Sequence, residues 1–414
     1  MVNKWENKPI LEYVDLLQGL TYSPENVKDF GLLVLRSSNI QNGMLAFDDC
    51  VFVDCKIDDS KYVQPRDILI CVRNGSSALI GKSCVIDKPY NATFGAFMSV
   101  LRGDKTGYIA QIFASGIVQS QIRNRSSATI NQITKRDFEE IIIPIPIDEA
   151  EQRAIAKALS DVDAYIVKLE KLIAKRRHIK QGTMQELLTA KRRLPGFSGE
   201  WLNKTLGDVG TITGSGVDKK INTNEEPVTL LNYLDVYRYA YIKQRMLHQN
   251  VTAKREKLLQ CNVLKGDVFF TPTSETADDI ARTAVSVEDM SGVAYSYHVV
   301  RLRPYENYNG EFIKYACDTA EVGKQTARLA DGSGTRYVIS LPNFREHITI
   351  RVPPTKNEQT AIAEILSDMD AEIDALTAKL NKARHIKQGM MQELLTGKIR
   401  LVGQGTSTKT AKAK

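Results

Sequence analysis

Apolar residues at a sustained 3.5-residue spacing appear twice in the chain. Ile155, Leu159, Val162, Ile166, Leu169 and Ile173 follow steps of 4, 3, 4, 3 and 4, and Ile362, Leu366, Met369, Ile373, Leu376 and Leu380 repeat them. A seam of this kind predicts a helix buried along one narrow stripe against another helix. The first helix is predicted from about Glu149 to at least Arg176. Asp148 is its N-cap, and Glu149 and Glu151 suit the positive end of its dipole. Gly182 is expected to interrupt it, leaving a further turn or two in the following TMQELLTAK. The simpler alternative is an ordinary amphipathic surface helix. Two matching seams favour helices that pair with each other, and the globular segment between them lets them run antiparallel as a spacer.

The surrounding residues match as well. Between 151–194 and 358–401, 28 of 44 ungapped positions are identical at a constant offset of 207. The chain is therefore two copies of one plan.

Ahead of each helix the pattern changes to short, β-branched-rich runs bounded by Gly, Asn and Asp, which read as strands. In the first copy these include LLVL at 32–35, VFVD at 51–54, DILICVRNGSSALIGKSCVI at 67–86 and AFMSVLRG at 96–103, with Asn42 and Gly43 marking a turn. One helix is predicted over 108–124. IIIPIPI at 141–147 is an extended run that its prolines end. LPGFSGEW at 194–201 is the connection to the second copy. There, Trp201, Asn203 and Lys204 answer Trp5, Asn7 and Lys8, and Asp267 before VFF answers Asp67 before ILI.

The expected fold class is α+β: two mixed α/β domains separated by two long, paired antiparallel coiled-coil helices with an internal pseudo-twofold repeat. The expected boundaries are 1–147, 148–197, 198–355 and 356–401, with a disordered tail from 402 to 414. The helices are nearly identical while the globules differ. The helices therefore share one task and the globules carry two.

Composition narrows the picture modestly. The 414 residues, 43 % hydrophobic and 25 % charged, suit a soluble globular protein with two or three domains, and no apolar run reaches membrane-spanning length. Six scattered cysteines without Cys-x-x-Cys spacing are expected as free thiols in a reducing cytoplasm, with no zinc site. A net charge of +7 permits nucleic-acid binding without establishing it.

Catalytic constellations are not found. No phosphate-cradling Gly-x-x-x-x-Gly-Lys-Ser/Thr motif occurs, and TGSG at 213–216 and DGSGT at 331–335 lack dinucleotide-loop spacing. Arg351 precedes VPPT where an amino-methyltransferase loop needs an amide or carboxylate. Asp54 and Lys56 lack the upstream carboxylate of a nuclease. His178 and His385 occupy equivalent helix positions and read as structural or partner-contact residues rather than metal ligands.

Polar loops remain. In the first globule they carry Arg36, Ser38 and Asn39; Arg73, Asn74, Ser76 and Ser77; and Arg123 and Arg125, followed by Ser126 and Ser127. In the second they carry Asn232 and Tyr233; Thr271, Thr273, Ser274 and Glu275; and Ser333, Thr335, Arg336 and Tyr337. Arginine can bond guanine bidentately, asparagine adenine and glutamate a cytosine amino group, while hydroxyls reach phosphates. Each such residue taken singly also fits a solvated turn. The helices add Met184, Leu187 and Leu188, with Met391, Leu394 and Leu395, as apolar residues expected to be exposed for a partner.

The two copies of EQ-x-AIA-x-x-LSD-x-D and HIKQG-x-MQELLT-x-K-x-RL, together with the IPIP and VPP strands before them, resemble the specificity subunit of type I restriction-modification enzymes. The resemblance covers nearly the whole chain. It implies two target-recognition domains, each reading one half of a split, asymmetric double-stranded DNA target. It also implies antiparallel helices that hold the readers apart and dock two methyltransferase subunits, which restriction subunits then join. No active site or cofactor is implied for this chain; S-adenosylmethionine, ATP and magnesium belong to those partners. A 149–177 helix would be about 43 Å long, against about 34 Å for a DNA turn. The competing readings are a coiled-coil scaffold without DNA specificity, and a methyltransferase or nuclease fused to its own recognition domain.

Overall fold

The computed structural model describes residues 5–125, 131–334 and 336–401. The predicted tail and the loop residues Ser126, Ser127 and Thr335 lie outside them. The chain divides into two compact units. One comprises the chain up to Glu170 together with the chain from Ala378 onward, and the other runs from Lys171 to Thr377.

Each unit is built around two larger sheets, with a two-stranded ribbon that leads into its long helix; the first unit adds a second ribbon and the second a small three-stranded sheet. In the first unit the central strand Ile68–Cys71 lies between Met98–Arg102 and Ser83–Val85, with Asp15–Gln18 at the edge, all antiparallel. Its four residues are all buried because successive side chains enter different cores. Ile68 and Ile70 face the core shared with the long helices, while Leu69 and Cys71 face the second sheet. In the second unit Val268–Phe270 does the same: Val268 and Phe270 join the helix-side core, and Phe269 joins the sheet-side core.

The second sheets are mixed. Ala92–Phe94 runs parallel to Leu32–Leu35, and Met290–Tyr295 runs parallel to Glu226–Leu231. Trp5–Pro9 pairs antiparallel with Ile142–Pro146, as Leu202–Thr205 does with Thr349–Val352, so each proline-rich run is a strand leading into its helix. The aspartates that open the central strands are buried in equivalent ion pairs, Asp67 with Arg102 and Asp267 with Arg303, each at 2.7 Å.

Local expectations hold in part. Asn42 (φ 52°) and Gly43 (φ 74°) make the two-residue turn of the hairpin joining Ile40–Gln41 to Met44–Leu45. Asp148 accepts from the Ala150 N–H at 2.8 Å at the head of the first long helix. The helix expected over 108–124 is two, Tyr108–Phe113 and Gly116–Arg125, broken where buried Ser115 turns its hydroxyl onto the Ile112 carbonyl at 2.6 Å.

The long helices are continuous, Glu149–Leu187 and Lys356–Leu394, 39 residues each. Gly182 and Gly389 do not interrupt them. A single helical glycine costs only about 1 kcal/mol, which one missing methyl group does not turn into a break.

Within the first unit Asp163 pairs with Lys387 and Glu170 with Arg384, both at 2.6 Å, and Glu151 pairs with Arg400. One residue number rises as the other falls, so the two segments run antiparallel. Within the second unit Arg176 pairs with Glu372, Lys180 with Asp370 and Arg193 with Glu358, in the same antiparallel sense. At the offset of 207, Glu151 corresponds to Glu358, Asp163 to Asp370, Lys180 to Lys387 and Arg193 to Arg400. Each copy thus places its acids against the bases of the other copy.

The seam residues are all buried or half-buried, and the first of each helix lie in a globule's core that the end of the other helix completes. Ile155 and Leu159 sink into the first globule's core, and Ile362 and Leu366 into the second's. The expectation that Leu187, Leu188, Leu394 and Leu395 are exposed for docking is wrong. Leu394 and Leu395 complete the core around Ile155 and Leu159, and Leu187 and Leu188 the core around Ile362 and Leu366. All four are at most 5 % exposed, with Met184 and Met391 half-buried beside them. Four large side chains that find an apolar core within the chain leave nothing to offer outside it. Among the described residues no helix is long and apolar enough to cross a membrane.

Candidate nucleic-acid interface

In the first unit three polar loops converge beyond the end of the central strand. The Asn74 amide donates to the Ser37 hydroxyl at 3.1 Å, and the Asn74 N–H donates to the Asn131 carbonyl at 3.1 Å. The Asn131 amide returns to the Gly75 carbonyl at 2.8 Å, and Val72 N–H bonds the Phe97 carbonyl at 3.0 Å. These bonds fix the loops' backbones and leave Arg73, Ser76 and Ser77 exposed between them. Ser38 is half-buried on the adjoining 3-10 turn.

Two predicted readers here are structural. Asn39 is fully buried: its amide oxygen accepts from Arg36 N–H at 2.9 Å, and its nitrogen donates to the Ala46 and Asp49 carbonyls, each at 3.0 Å. An asparagine whose donors and acceptor are all spent inside cannot read adenine. Arg125 is held by Glu140 and donates to the Gln121 and Glu140 carbonyls. It stands with exposed Arg123 on the last turn of a helix rather than in a loop. Arg36 pairs with Asp49 at 2.7 Å.

The second unit forms the equivalent edge differently. Thr273–Ser274 pairs with Arg336–Val338, which pairs with Asp331–Ser333, making a small three-stranded sheet. Tyr233 donates to the Thr273 carbonyl at 2.9 Å and stacks on Tyr237 at 6.1 Å, while Tyr237 donates to Asp279. Asn232 and Thr271 leave the candidate set. Asn232 caps helix Tyr233–Arg238 through the Leu234 N–H and donates to Gln249 at 2.6 Å. Thr271 is fully buried, with its hydroxyl accepting from the Arg282 N–H at 3.0 Å. Glu275, Ser333 and Arg336 stay exposed, and Tyr337 is half-buried opposite Ser274.

Sequence reasoning passed over Lys219, Tyr297 and His298 on this edge. Partial burial and the nearby charges of Lys219 and Arg336 hold the His298 imidazole below its ordinary pKa, with Asp218 opposing. Tyr297 and His298 belong to no motif. The signal available was their position after a strand that the other copy also possesses.

Among the described residues no group of three or more His, Cys, Asp or Glu side chains is placed to hold a metal ion. Both edges are polar and carry exposed basic groups, and among the described residues their sequences and local structures differ.

A family model described as "Type I restriction modification DNA specificity domain" matches residues 4–181 and again 198–384. The StySPI specificity subunit of a type I restriction enzyme from Salmonella potsdam is 26 % identical over 415 residues, covering 96 % of this chain and 88 % of that one. The EcoKI specificity subunit from Escherichia coli K12 is 25 % identical over 420 residues with the same coverage. The crystal structure of the S subunit of a type I restriction-modification system from M. genitalium shares the fold at a TM-score of 0.63 and 16 % identity, covering 95 % of this chain and 96 % of that chain. With two matched domains, each carrying its own unlike loop edge, this chain belongs to the type I restriction-modification DNA specificity family.

Proposed function

We propose that this chain is the non-catalytic sequence-reading subunit of a type I restriction-modification system, each unit recognising one half of a bipartite, asymmetric DNA target. The observation that carries this is the contrast within one chain. Two units share a fold and near-identical helices, yet present different polar side chains at equivalent edges. Identical edges would specify a palindrome; unlike edges specify an asymmetric target.

The helices, as antiparallel paired segments, set the gap between the half-sites and hold two methyltransferase subunits, with restriction subunits joining that assembly. Each HIKQG repeat leaves an isoleucine on the surface, Ile179 at 40 % and Ile386 at 48 % exposure, and these replace the buried leucines as docking residues. S-adenosylmethionine, ATP and magnesium are held by the partners, and the assembly acts on DNA in the cytoplasm.

The test is to assemble the full chain with its modification subunits and map every methylated position on a random DNA library by sequencing. Two unlike half-sites at one fixed gap are expected. Methylation without any shared motif would overturn the reading and favour a coiled-coil scaffold.

A further inference from the structure

One loop recurs in both units at the same place. After strand Ala92–Phe94 the chain turns through Gly95, Ala96 and Phe97, and after Met290–Tyr295 it turns through Ser296, Tyr297 and His298. Met98 N–H closes the first turn on the Gly95 carbonyl at 2.8 Å, and Val299 N–H closes the second on the Ser296 carbonyl at 3.0 Å. Leu20 bridges to Gly95, and Val217 to Ser296, both parallel. Because the architecture is the same, the difference in side chains serves something other than folding.

Each loop exposes an aromatic ring, Phe97 at 57 % and Tyr297 at 46 %. Both rings therefore stand where a base edge could meet them, at the same place in each unit. Over the Phe97 ring, 5.2 Å from its centre, lies the Arg73 guanidinium. Arg73 is exposed, and among the described residues no ion pair or hydrogen bond takes its guanidinium, unlike those of Arg36 and Arg125. Stacking restrains a long side chain in advance, so less freedom is lost when its planar fork meets a base edge. In the second unit Tyr297 packs 3.9 Å from His298, beside the charges of Lys219 and Arg336.

We propose that these paired loops, each with an arginine from a neighbouring segment, are the base-discriminating tips: Arg73 bonds a guanine edge and Phe97 meets the methyl group of a neighbouring thymine in one half-site, while Tyr297, His298 and Arg336 discriminate in the other. This rests on the DNA-reading function proposed above. Guanine offers two major-groove acceptors that a guanidinium spans bidentately, and phenylalanine suits a thymine methyl.

The test uses the complete methyltransferase assembled on the full chain, with the methylated motif mapped for the wild type, Arg73→Ala, Arg73→Lys, Phe97→Ala and His298→Ala. Arg73→Ala and Arg73→Lys should each reduce guanine preference about tenfold or more at one position of one half-site. Phe97→Ala should relax an adjacent thymine in that half, and His298→Ala only the other half. Lysine keeps the charge but not the fork, so it separates base reading from phosphate attraction. A motif unchanged in both Arg73 variants, even with uniformly weaker methylation, would overturn the proposal. If Arg73→Ala lowered the thermal unfolding midpoint, the Arg73→Lys motif would decide. A wild-type assembly without a motif would instead sink the proposed function, and this inference with it.

Discussion

Asn39 and Arg73 have the same appearance in the sequence, polar residues in a loop that follows a buried strand, and opposite positions in the fold. Asn39 spends its amide on three backbone groups, whereas Arg73 keeps an exposed guanidinium above an aromatic ring. Asn39→Ala should therefore cost about 1–3 kcal/mol of stability, the price of orphaned buried groups, and leave the methylated motif unchanged. Chemical denaturation of the variant beside motif mapping checks both parts. Asp370 supplies a second residue-scale prediction. Burial raises its pKa, but hydrogen bonds from Lys180 and Tyr315 and the charges of Lys180 and Lys314 outweigh that, and the net shift is downward from 3.8. A carboxylate lowered in the folded state stabilises fully above its ordinary pKa and loses that contribution as pH falls through the folded value. Stability of the wild type should fall progressively below about pH 4, and Asp370→Asn should flatten that part of the profile.

At the scale of elements, the near-identity of the two helices has a cause inside the chain. Gln152 and Gln359 donate back to the carbonyls of Pro146 and Pro353, tying each helix to the strand before it. Glu151 and Glu358, at most 1 % exposed, are neutralised by Arg400 and Arg193. A head that must fit a tail, twice over, constrains both copies to the same residues. Arg400→Ala and Arg193→Ala each strand a buried carboxylate and should each cost about 3–5 kcal/mol. Losses in this range in thermal or chemical unfolding are expected for both, because each pair neutralises the same buried glutamate at the head of a helix. Gly182→Ala and Gly389→Ala point the other way. An added Cβ meets nothing within 4 Å at either position, so each should stabilise by about 1 kcal/mol. A drop in stability would show that the glycines serve something other than the helix.

For the whole molecule, the proposed spacer has a numerical consequence. A heptad preserves the 3.5-residue repeat, and seven residues lengthen a helix by about 10.5 Å. Since each unit takes part of both helices, the insertion must be made in both, after Glu170 and after Thr377. The gap between half-sites should grow by about three base pairs at 3.4 Å each, with both half-sites unchanged. Altered half-sites at an unchanged gap would contradict the spacer. Exchanging residues 1–147 for another reader should change one half-site alone.

The sequence by itself determined the repeat, the two long helices and their starts, the buried strands that open with Asp67 and Asp267, and the presence of unlike polar loops. All of these follow from local order: periodicity of 3.5 or 2 residues, caps, turns and a chain compared with itself. Only the tertiary structure decided what each apolar residue is buried against. Leu187 and Leu394 look the same whether they face a partner protein or a core assembled from the other copy, since hydrophobicity demands burial and does not name the neighbour. It likewise decided which polar residues were spent internally, as Asn39 and Thr271 are. It also brought Phe97 beside Arg73, a contact that depends on where two strands end and that no spacing along the chain encodes.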